Sequence, residues 1–381
     1  MKKFIIVAPL SSISKRTRLY KLVSFLFCNS DVTVKHVGWE RVEGEKEEVY
    51  FNDNIEKDIL IKGGGYGGRK VKLMYFLWFA KVFLKGFSFK KGDVVWALGF
   101  ESSFPLLLSS KIIGYKVVFD DADRFSMLFK LPSPFDSLLS FLEKITSRNV
   151  YKHIIPSIER YDFESDKFYL VKNIPSKVEI DKAKELKPKV SKIECGLTIN
   201  INGWLGAGRG MSVILDLAKE LESYPVYFIL AGKLDCQEAL ELSQLDKVRY
   251  IGSVTNSEAL STYLNSDLVF TYYDPKVEIN RYAESNKWGD AIKFNNGIIV
   301  NSEVITAKRL IEEQVTISCN YNDLDGLKLS ILSLLENPQR LQSIKDRLGN
   351  IEEYNGYFED KLALLFSGMN LIECKDESKY V

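Results

Sequence analysis

A glycine-rich stretch with one arginine, NGWLGAGRGM at 202–211, lies between a strand pattern and a helix pattern. Residues 193–201 are rich in β-formers, whereas residues 211–221 carry apolar side chains at helical spacing. A glycine turn that opens a helix points backbone N–H groups and the positive end of the helix dipole at one place. Arg209 adds a permanent, forked positive charge. We therefore expect a phosphate site at this turn.

Two other interpretations of the turn are open. A dinucleotide site needs the spacing G-x-G-x-x-G, but Met211 stands where the third glycine would follow Gly206 and Gly208. No acid at a strand end follows about 20 residues later, which further weakens that interpretation. A tight turn whose glycines only permit positive φ is the second alternative.

A second polar stretch, at 278–301, follows the strand pattern of residues 268–272. It places Asn286, Lys287 and Asp290 at the start of a predicted helix. Asn286 and Lys287 suit a phosphate, and the Asp290 carboxylate suits the vicinal hydroxyls of a ribose. The alternative for Asp290 is a helix-capping role.

Composition narrows the function classes. The chain has 381 residues, 46% of them hydrophobic, and a formal net charge of +1, so we expect no nucleic-acid partner. Five scattered cysteines without a CxxC pair indicate a reducing compartment, and two histidines exclude a multi-histidine metal site. The first apolar run, residues 4–8, is shorter than a signal peptide core and predicts a strand. We expect a cytoplasmic protein without cofactor or metal.

Two successive βαβ series organise the chain. Strand patterns occur at 3–8, 32–37, 94–97 and 116–119, and again at 193–201, 226–231, 248–251, 268–272 and 298–300. The charged segment 177–192 separates them and predicts a linker. We expect two doubly wound parallel sheets, in domains 1–176 and 193–353, with a C-terminal helix within 354–381 packing back on the first domain. Ligands in such sheets lie beyond the carboxyl ends of the strands.

The order and spacing of seven motifs resemble the retaining GT-B glycosyltransferases (glycosyl transferases group 1), of the type found in bacterial surface-polysaccharide synthesis. The motifs are VGWER (37–41), VVFDDADRF (117–125), VKNIP (171–175), NGWLGAGRG (202–210), YFILAGK (227–233), VRYIGSV (248–254) and NKWGDAI (286–292). The resemblance implies an α/β fold of two facing Rossmann-like domains with a cleft between them. The first domain would bind an acceptor and the second a nucleotide sugar.

The resemblance also implies roles for individual residues. The diphosphate would contact Gly203, Gly208, Arg209, Gly210, Asn286 and Lys287, the base Tyr250, Ile251, Gly252 and Ser253, and the ribose Asp290. The acceptor side would comprise Glu101, Asp120, Asp123 and Arg124. For Asp120, Asp123 and Arg124 a strand-end salt-bridge cluster is the alternative. Catalytic roles fall to Arg209, Lys287 and Asp123.

Three positions depart from the family pattern. Tyr282 replaces the first acid of the Glu–seven residues–Glu motif, and neither Glu278 nor Glu284 is in register with it. Trp204 replaces a second basic residue, for which Lys287 is a candidate substitute, and Ala122 replaces a histidine.

The predicted reaction is transfer of a sugar from a UDP- or GDP-sugar to a glycan or polyprenyl-linked glycan, in surface-polysaccharide (O-antigen or capsule) synthesis. Arg209 and Lys287 would stabilise the charge on the leaving diphosphate. The resemblance implies front-face attack with retention, in which the departing phosphate takes the acceptor proton. A nucleotide-sugar 2-epimerase of the same fold and a catalytically silent nucleotide-sugar-binding subunit are the alternatives.

Residues 62–91 contain eight basic residues and no acid. They surround the apolar stretch VKLMYFLWFAKVFL (71–84). On a helix, Lys70, Lys81 and Lys85 fall within an arc of about 60°. Such a helix suits the surface of an anionic membrane, at the inner face of the cell membrane. A buried domain helix with a solvated lysine edge is the alternative.

Overall fold

The computed structural model describes residues 2–44, 55–129, 131–186 and 190–369. The chain divides into two compact α/β units. The N-terminal unit takes in Met1–Val171 and the chain from Glu359 onward, and the C-terminal unit is Lys172–Phe358. Across the described residues, no helix is both long and apolar enough to cross a membrane.

The N-terminal unit is built on a parallel sheet of seven strands in the order β3-β2-β1-β4-β5-β6-β7. The strands are β1 (Lys2–Ala8), β2 (Val32–Glu40), β3 (Ile55–Lys62), β4 (Val94–Leu98), β5 (Lys116–Asp120), β6 (Lys152–Ile155) and β7 (Phe168–Leu170). The helices that connect them are α1 (Thr17–Asn29), α2 (Arg69–Gly86), α3 (Phe100–Ile113), α4 (Phe125–Leu128) and α5 (Phe135–Asn149). The central strands β1, β4 and β5 are almost entirely buried, as their continuous apolar runs predict.

The C-terminal unit has a second parallel sheet, in the order β10-β9-β8-β11-β12-β13. Its strands are β8 (Leu197–Leu205), β9 (Val226–Leu234), β10 (Val248–Tyr250), β11 (Leu268–Phe270), β12 (Gly297–Asn301) and β13 (Thr316–Cys319). Its helices are α6 (Lys177–Glu185), α7 (Met211–Glu220), α8 (Gln237–Leu242), α9 (Asn256–Ser261), α10 (Asn286–Lys293), α11 (Lys308–Glu312), α12 (Leu324–Glu336) and α13 (Pro338–Arg347). Helix α7 packs its apolar stripe, with Ile214 and Leu215, into the core of this unit.

The last described helix, α14 (Phe358–Gly368), contributes to the core of the N-terminal unit. The Phe366 ring lies 5.8 Å from Phe25, 5.9 Å from Phe4 and 6.1 Å from Trp96, between ring centroids. The predicted C-terminal helix thus begins at Phe358 rather than Tyr354, and residues 370–381 lie outside the described residues.

Two elements differ from the sequence prediction. Part of the predicted linker is helix α6, because Ser176 and Glu179 form a capping box and Ile180 and Ala183 supply a buried face. Residues 187–189 of that segment lie outside the described residues. Strand β8 runs from 197 to 205 instead of 193 to 201, so Gly203 lies in the strand and the turn begins after it.

Candidate functional site

The candidate site lies where the strand order of the C-terminal sheet reverses. Strand β8 has β9 on one side and β11 on the other, so the connections after β8 and β11 leave in opposite directions. Such a switch point opens a crevice at the carboxyl ends of the strands, where doubly wound folds bind ligands. The segment after β8 carries Arg209, and the segment after β11 leads to Lys287.

Two glycines bring the backbones of β8 and β9 close together at this edge. Gly203 pairs with Gly232, and both have positive φ, at 100° and 134°. A Cβ on Gly232 would lie 1.8 Å from the Gly203 carbonyl oxygen. Only glycine fits at position 232, because of this contact and the positive φ.

The segment after β11 contacts the loop between β8 and α7 and fixes its position. A short 3₁₀ turn spans Ala207–Arg209, and Gly210 adopts the left-handed conformation before α7. The amide nitrogen of Asp274 and Nδ2 of Asn280 both donate to the Gly208 carbonyl oxygen, at 3.2 and 3.3 Å. A Cβ on Gly210 would collide with Tyr272. The loop is therefore a packed element of fixed shape, and the tight-turn and anion-site interpretations are compatible.

Aromatic rings hold the Arg209 side chain. Its Cζ lies 4.6 Å from the centroid of the Tyr273 ring and 5.8 Å from that of Trp204. Such stacking orients a guanidinium while leaving its N–H donors for a ligand. Trp204 itself is fixed by a 2.6 Å hydrogen bond from Nε1 to Oδ2 of Asp235. Trp204, where the resemblance predicts a basic residue, thus contacts Arg209 instead.

Lys287 supplies a second cation at the same place. Its Nζ lies 2.9 Å from the position that a Cβ on Gly203 would take, so the ammonium group lies against the glycine backbone. Burial lowers the pKa of Lys287, Arg209 lowers it further, and Asp290 opposes both. The positive charges of Arg209 and Lys287 repel each other, and partial burial strengthens the repulsion. A bound anion would therefore stabilise both cations.

Helix α10 begins at Asn286, as the sequence predicts. Its N-cap is Ser285, whose hydroxyl accepts from the Lys287 amide at 3.3 Å. Asp290 is therefore not the capping residue. Its carboxylate is close enough to Lys287 and Tyr263 to affect their pKa values. Asn286 is exposed at the start of the helix.

The segment predicted to contact the nucleotide base, residues 250–253, begins at the last residue of β10. The Tyr250 hydroxyl donates to the Gly232 carbonyl oxygen at 2.8 Å, which ties β10 to the glycine pair. Ile251 and Gly252 are half-buried and Ser253 is exposed. Gly252 has a φ of 90° and open space where a Cβ would lie. None of these four side chains is charged. The segment would therefore contact a ligand through its backbone and uncharged side chains.

Glu284 does not replace the missing first acid. Its carboxylate is buried, accepts from Lys172 Nζ at 3.2 Å and also accepts from the Tyr354 hydroxyl. The Glu284 carbonyl oxygen accepts from Asn173 Nδ2 at 3.0 Å. These contacts anchor the segment that leads into α10, a structural role that sequence spacing did not reveal.

The four predicted acceptor-side residues have two kinds of surroundings in the N-terminal unit. Asp120 is buried and binds Arg18 Nε at 2.7 Å and Trp96 Nε1 at 3.0 Å. Arg124 is buried against Glu143 and Asp162, at 3.2 and 2.8 Å. The contacts of Asp120 and Arg124 favour the salt-bridge alternative, and a role for them on the acceptor side stays a prediction.

Glu101 and Asp123 have different surroundings. Glu101 follows β4, beside β1, at the switch point of the N-terminal sheet. Burial raises the pKa of Glu101 to about 7, and the Asp121 carboxylate adds to the shift. Asp123 is partly exposed and pairs with Arg16 at 3.2 Å.

The predicted 62–91 lysine arc also has structural partners, because Lys81 donates to the Leu60 carbonyl oxygen and Lys85 pairs with Asp58 on β3.

Comparison with known proteins supports the architecture. No family model and no curated protein matches the sequence. Solved structures do match, including a sucrose-phosphate synthase from Thermosynechococcus elongatus, with a TM-score of 0.66 at 10% identity over 97% of this chain and 99% of that chain. The chain has the GT-B fold.

Two further matches were solved with nucleotides. A structure described as trehalose-6-phosphate from E. coli bound with UDP-2-fluoro glucose has a TM-score of 0.65 at 9% identity, over 98% of this chain and all of that one (100%). A co-structure of S. aureus MnaA with UDP has a TM-score of 0.62 at 12% identity, over 98% of each chain. At these identities the likeness extends to the fold, and the α/β prediction of two Rossmann-like domains is confirmed.

Sequence reasoning missed several residues of the site. Gly232 and Tyr273 were not singled out, although each follows an apolar strand core and lies at the carboxyl end of the sheet. Position at a strand end was the available signal. Asn280, which fixes the loop through Gly208, lies in a short 3₁₀ helix and had no recognisable pattern.

Proposed function

We propose that the protein is a glycosyltransferase that uses a nucleoside diphosphate sugar, UDP- or GDP-linked, as donor. The observation that carries the proposal is the pairing of Arg209 and Lys287 around the Gly203–Gly232 backbone at the switch point of the C-terminal sheet. The nucleotide-bound neighbours of the same fold support a nucleotide sugar as the ligand.

In this proposal the diphosphate lies over the Gly203 edge and the start of α7. Backbone N–H groups of the loop, the Arg209 guanidinium and the Lys287 ammonium stabilise the negative charge that grows as the sugar–phosphate bond breaks. Asp290 accepts hydrogen bonds from the ribose hydroxyls, and the 250–253 segment borders the base. The departing phosphate takes the acceptor proton, so transfer proceeds with retention and without a metal ion.

For the acceptor we propose a glycan or a polyprenyl-linked glycan of surface-polysaccharide synthesis, O-antigen or capsule, in the cytoplasm. The N-terminal unit binds it. The residues that we assign to the acceptor are Glu101, which follows β4 at the switch point of that sheet, and Asp123, which pairs with Arg16. Asp123 remains our candidate for a catalytic role on this side, because its carboxylate is partly exposed and held by Arg16.

The first experiment is a thermal-shift panel of UDP, GDP, ADP, CMP, TDP and NAD. We expect one nucleoside diphosphate to raise the melting temperature and Arg209→Ala to abolish the rise. Lys308→Ala, an exposed lysine of the same unit, is the matched control. Stabilisation by NAD alone contradicts the proposal.

The fate of the donor then separates the alternatives. Release of nucleoside diphosphate that depends on an acceptor identifies a transferase, and the anomeric configuration of the product tests retention. Conversion of the donor sugar to its 2-epimer without an acceptor identifies an epimerase. Binding without any turnover identifies a silent subunit.

A further inference from the structure

Helix α2 has two apolar faces, of which the protein core covers one. Val71, Trp78 and Val82 are buried on the inner face. On the opposite side, five large apolar residues are exposed within an arc of about 100°. They are Leu73 (70% exposed), Phe76 (61%), Leu77 (42%), Leu84 (66%) and Phe87 (41%).

The exposed apolar stripe continues on the neighbouring helices. Helix α2 packs on α3, and α3 packs on α5. Helix α3 exposes Leu108 and Ile112, one turn apart, and α5 exposes a stripe of its own. We call the apolar face the set Leu73, Phe76, Leu77, Leu84, Phe87, Leu108, Ile112, Phe135, Leu138, Phe141 and Ile145. Single exposed apolar residues are common on protein surfaces, whereas a set of them on three packed helices indicates an interaction surface.

A basic cavity adjoins the apolar face at the C-terminal ends of α3 and α5. It has a volume of about 490 Å³, and residues of both helices line it. Four lysines line the cavity with one acid, Asp166, which pairs with one of them at 2.8 Å. The lysines are Lys111, Lys116, Lys152 and Lys167. The cavity thus suits a negatively charged headgroup.

The exposed charge on the three helices is mostly positive. Lys70 and Lys72 are exposed at the start of α2, and Lys111 lies beside Ile112 on α3. Of the acids that α3 and α5 carry, Glu101 and Glu143 are buried and Asp136 is exposed. An apolar surface surrounded by lysines matches the interface of an anionic bilayer, in which apolar side chains enter the headgroup region and lysines meet phosphates.

We propose that the apolar face and its basic cavity dock this protein on an anionic lipid bilayer. The lysines favour a bilayer over a second copy of the chain, because protein–protein interfaces are depleted in lysine and like charges would oppose each other across the contact. Of the 70–81–85 arc, only Lys70 lies beside the apolar face, because Lys81 and Lys85 face β3. Docking is independent of the proposed transfer reaction, since it requires no nucleotide sugar.

The test is co-sedimentation of the full chain with phosphatidylcholine vesicles, with and without phosphatidylglycerol, in the absence of nucleotide. We expect binding to the anionic vesicles and a loss of about tenfold or more in L73N/F76N. K111E/K116E should weaken binding by about fivefold or more per lysine. The matched controls are Leu364→Asn, on an equally exposed leucine of α14 (64%), and Lys308→Glu in the C-terminal unit.

Three outcomes overturn the proposal. Wild-type protein that stays in solution with anionic vesicles rules out docking. Equal losses in the control variants show that binding is not specific to this face. A wild-type dimer in light scattering that L73N/F76N converts to a monomer shows that a second copy covers the face instead. Unchanged melting temperatures in all variants ensure that folding does not account for the losses.

Discussion

At the scale of single residues, the donor site depends on two cations that the fold holds close together. Burial and the neighbouring Arg209 both lower the pKa of Lys287, whereas Asp290 alone among its named neighbours raises it. A diphosphate bound between the two cations reverses this balance, because its negative charge favours the ammonium form. Ligand binding and protonation of Lys287 are therefore coupled.

We expect nucleoside diphosphate binding to take up protons in the pH range between the lowered pKa of the free protein and the higher pKa of the complex. In that range affinity falls as pH rises, by linkage, with an uptake of about one proton at most. Calorimetry in two buffers of different ionisation enthalpy measures the uptake. It should be done above about pH 8, where a phosphate with a second pKa of about 6 no longer titrates.

Lys287→Arg is the matched variant for this measurement, because a guanidinium keeps its proton throughout the range. It should bind the nucleotide with little proton uptake. Equal uptake in the variant and the wild type would show that another group titrates.

Asp290 is expected to recognise the ribose rather than the diphosphate. Asp290→Asn should weaken nucleoside diphosphate binding by about 1.5–3 kcal/mol, as for a hydrogen bond to a charged group, while affinity for inorganic pyrophosphate changes little. Arg209→Ala should weaken both ligands. Competition binding with the two ligands checks this, and a parallel loss for both in Asp290→Asn would assign Asp290 to the cation pair instead of the ribose.

At the scale of secondary-structure elements, the site depends on close approach of β8 and β9. Gly232→Ala would place a methyl group against the Gly203 carbonyl oxygen and put alanine at a φ of 134°. We expect a loss of about 2–4 kcal/mol in the free energy of unfolding, from backbone strain and displacement of β8. Urea denaturation measures it, together with loss of nucleotide binding.

Gly252→Ala is the control, since Gly252 also has a positive φ, 90°, but has open space around its Cα. It should cost about 1–2 kcal/mol from backbone strain alone. A Gly232→Ala variant no less stable than Gly252→Ala would mean that β8 and β9 can separate without cost.

The sequence predicts elements with strong local patterns and misses those that depend on distant partners. Strands β1, β9 and β11 have continuous apolar runs, and α10 starts at the predicted residue. By contrast, β3 at the sheet edge has three consecutive charged residues followed by three apolar ones, and β7 has three residues. Neither length nor periodicity distinguishes such segments from loops.

The same distinction applies to the candidate site. Arg209, Lys287 and Asp290 were predictable from residue type and their place before or within a helix. The Gly203–Gly232 pairing depends on the register between two strands, and the burial of Glu284 by Lys172 and Tyr354 depends on segments far apart in the chain. Local spacing contains no information about either.

At the scale of the whole molecule, the last described helix packs into the core of the N-terminal unit. Helix α14 follows the C-terminal unit in sequence, yet Phe366 is fully buried among Phe4, Phe25 and Trp96 of the N-terminal unit. The stability of the N-terminal unit therefore depends on residues that are synthesised after the entire C-terminal unit.

We expect Phe366→Ala to destabilise the N-terminal unit by about 3–5 kcal/mol, because it removes a large ring from a close-packed aromatic cluster. Leu364→Ala, on the same helix but 64% exposed, should change stability by less than about 0.5 kcal/mol. Calorimetry with and without the stabilising nucleotide assigns the transitions, since a ligand of the C-terminal unit raises the transition of that unit. Phe366→Ala should lower the other transition and leave nucleotide affinity unchanged at low temperature. A fall in the nucleotide-dependent transition would instead mean that α14 stabilises the donor-binding unit.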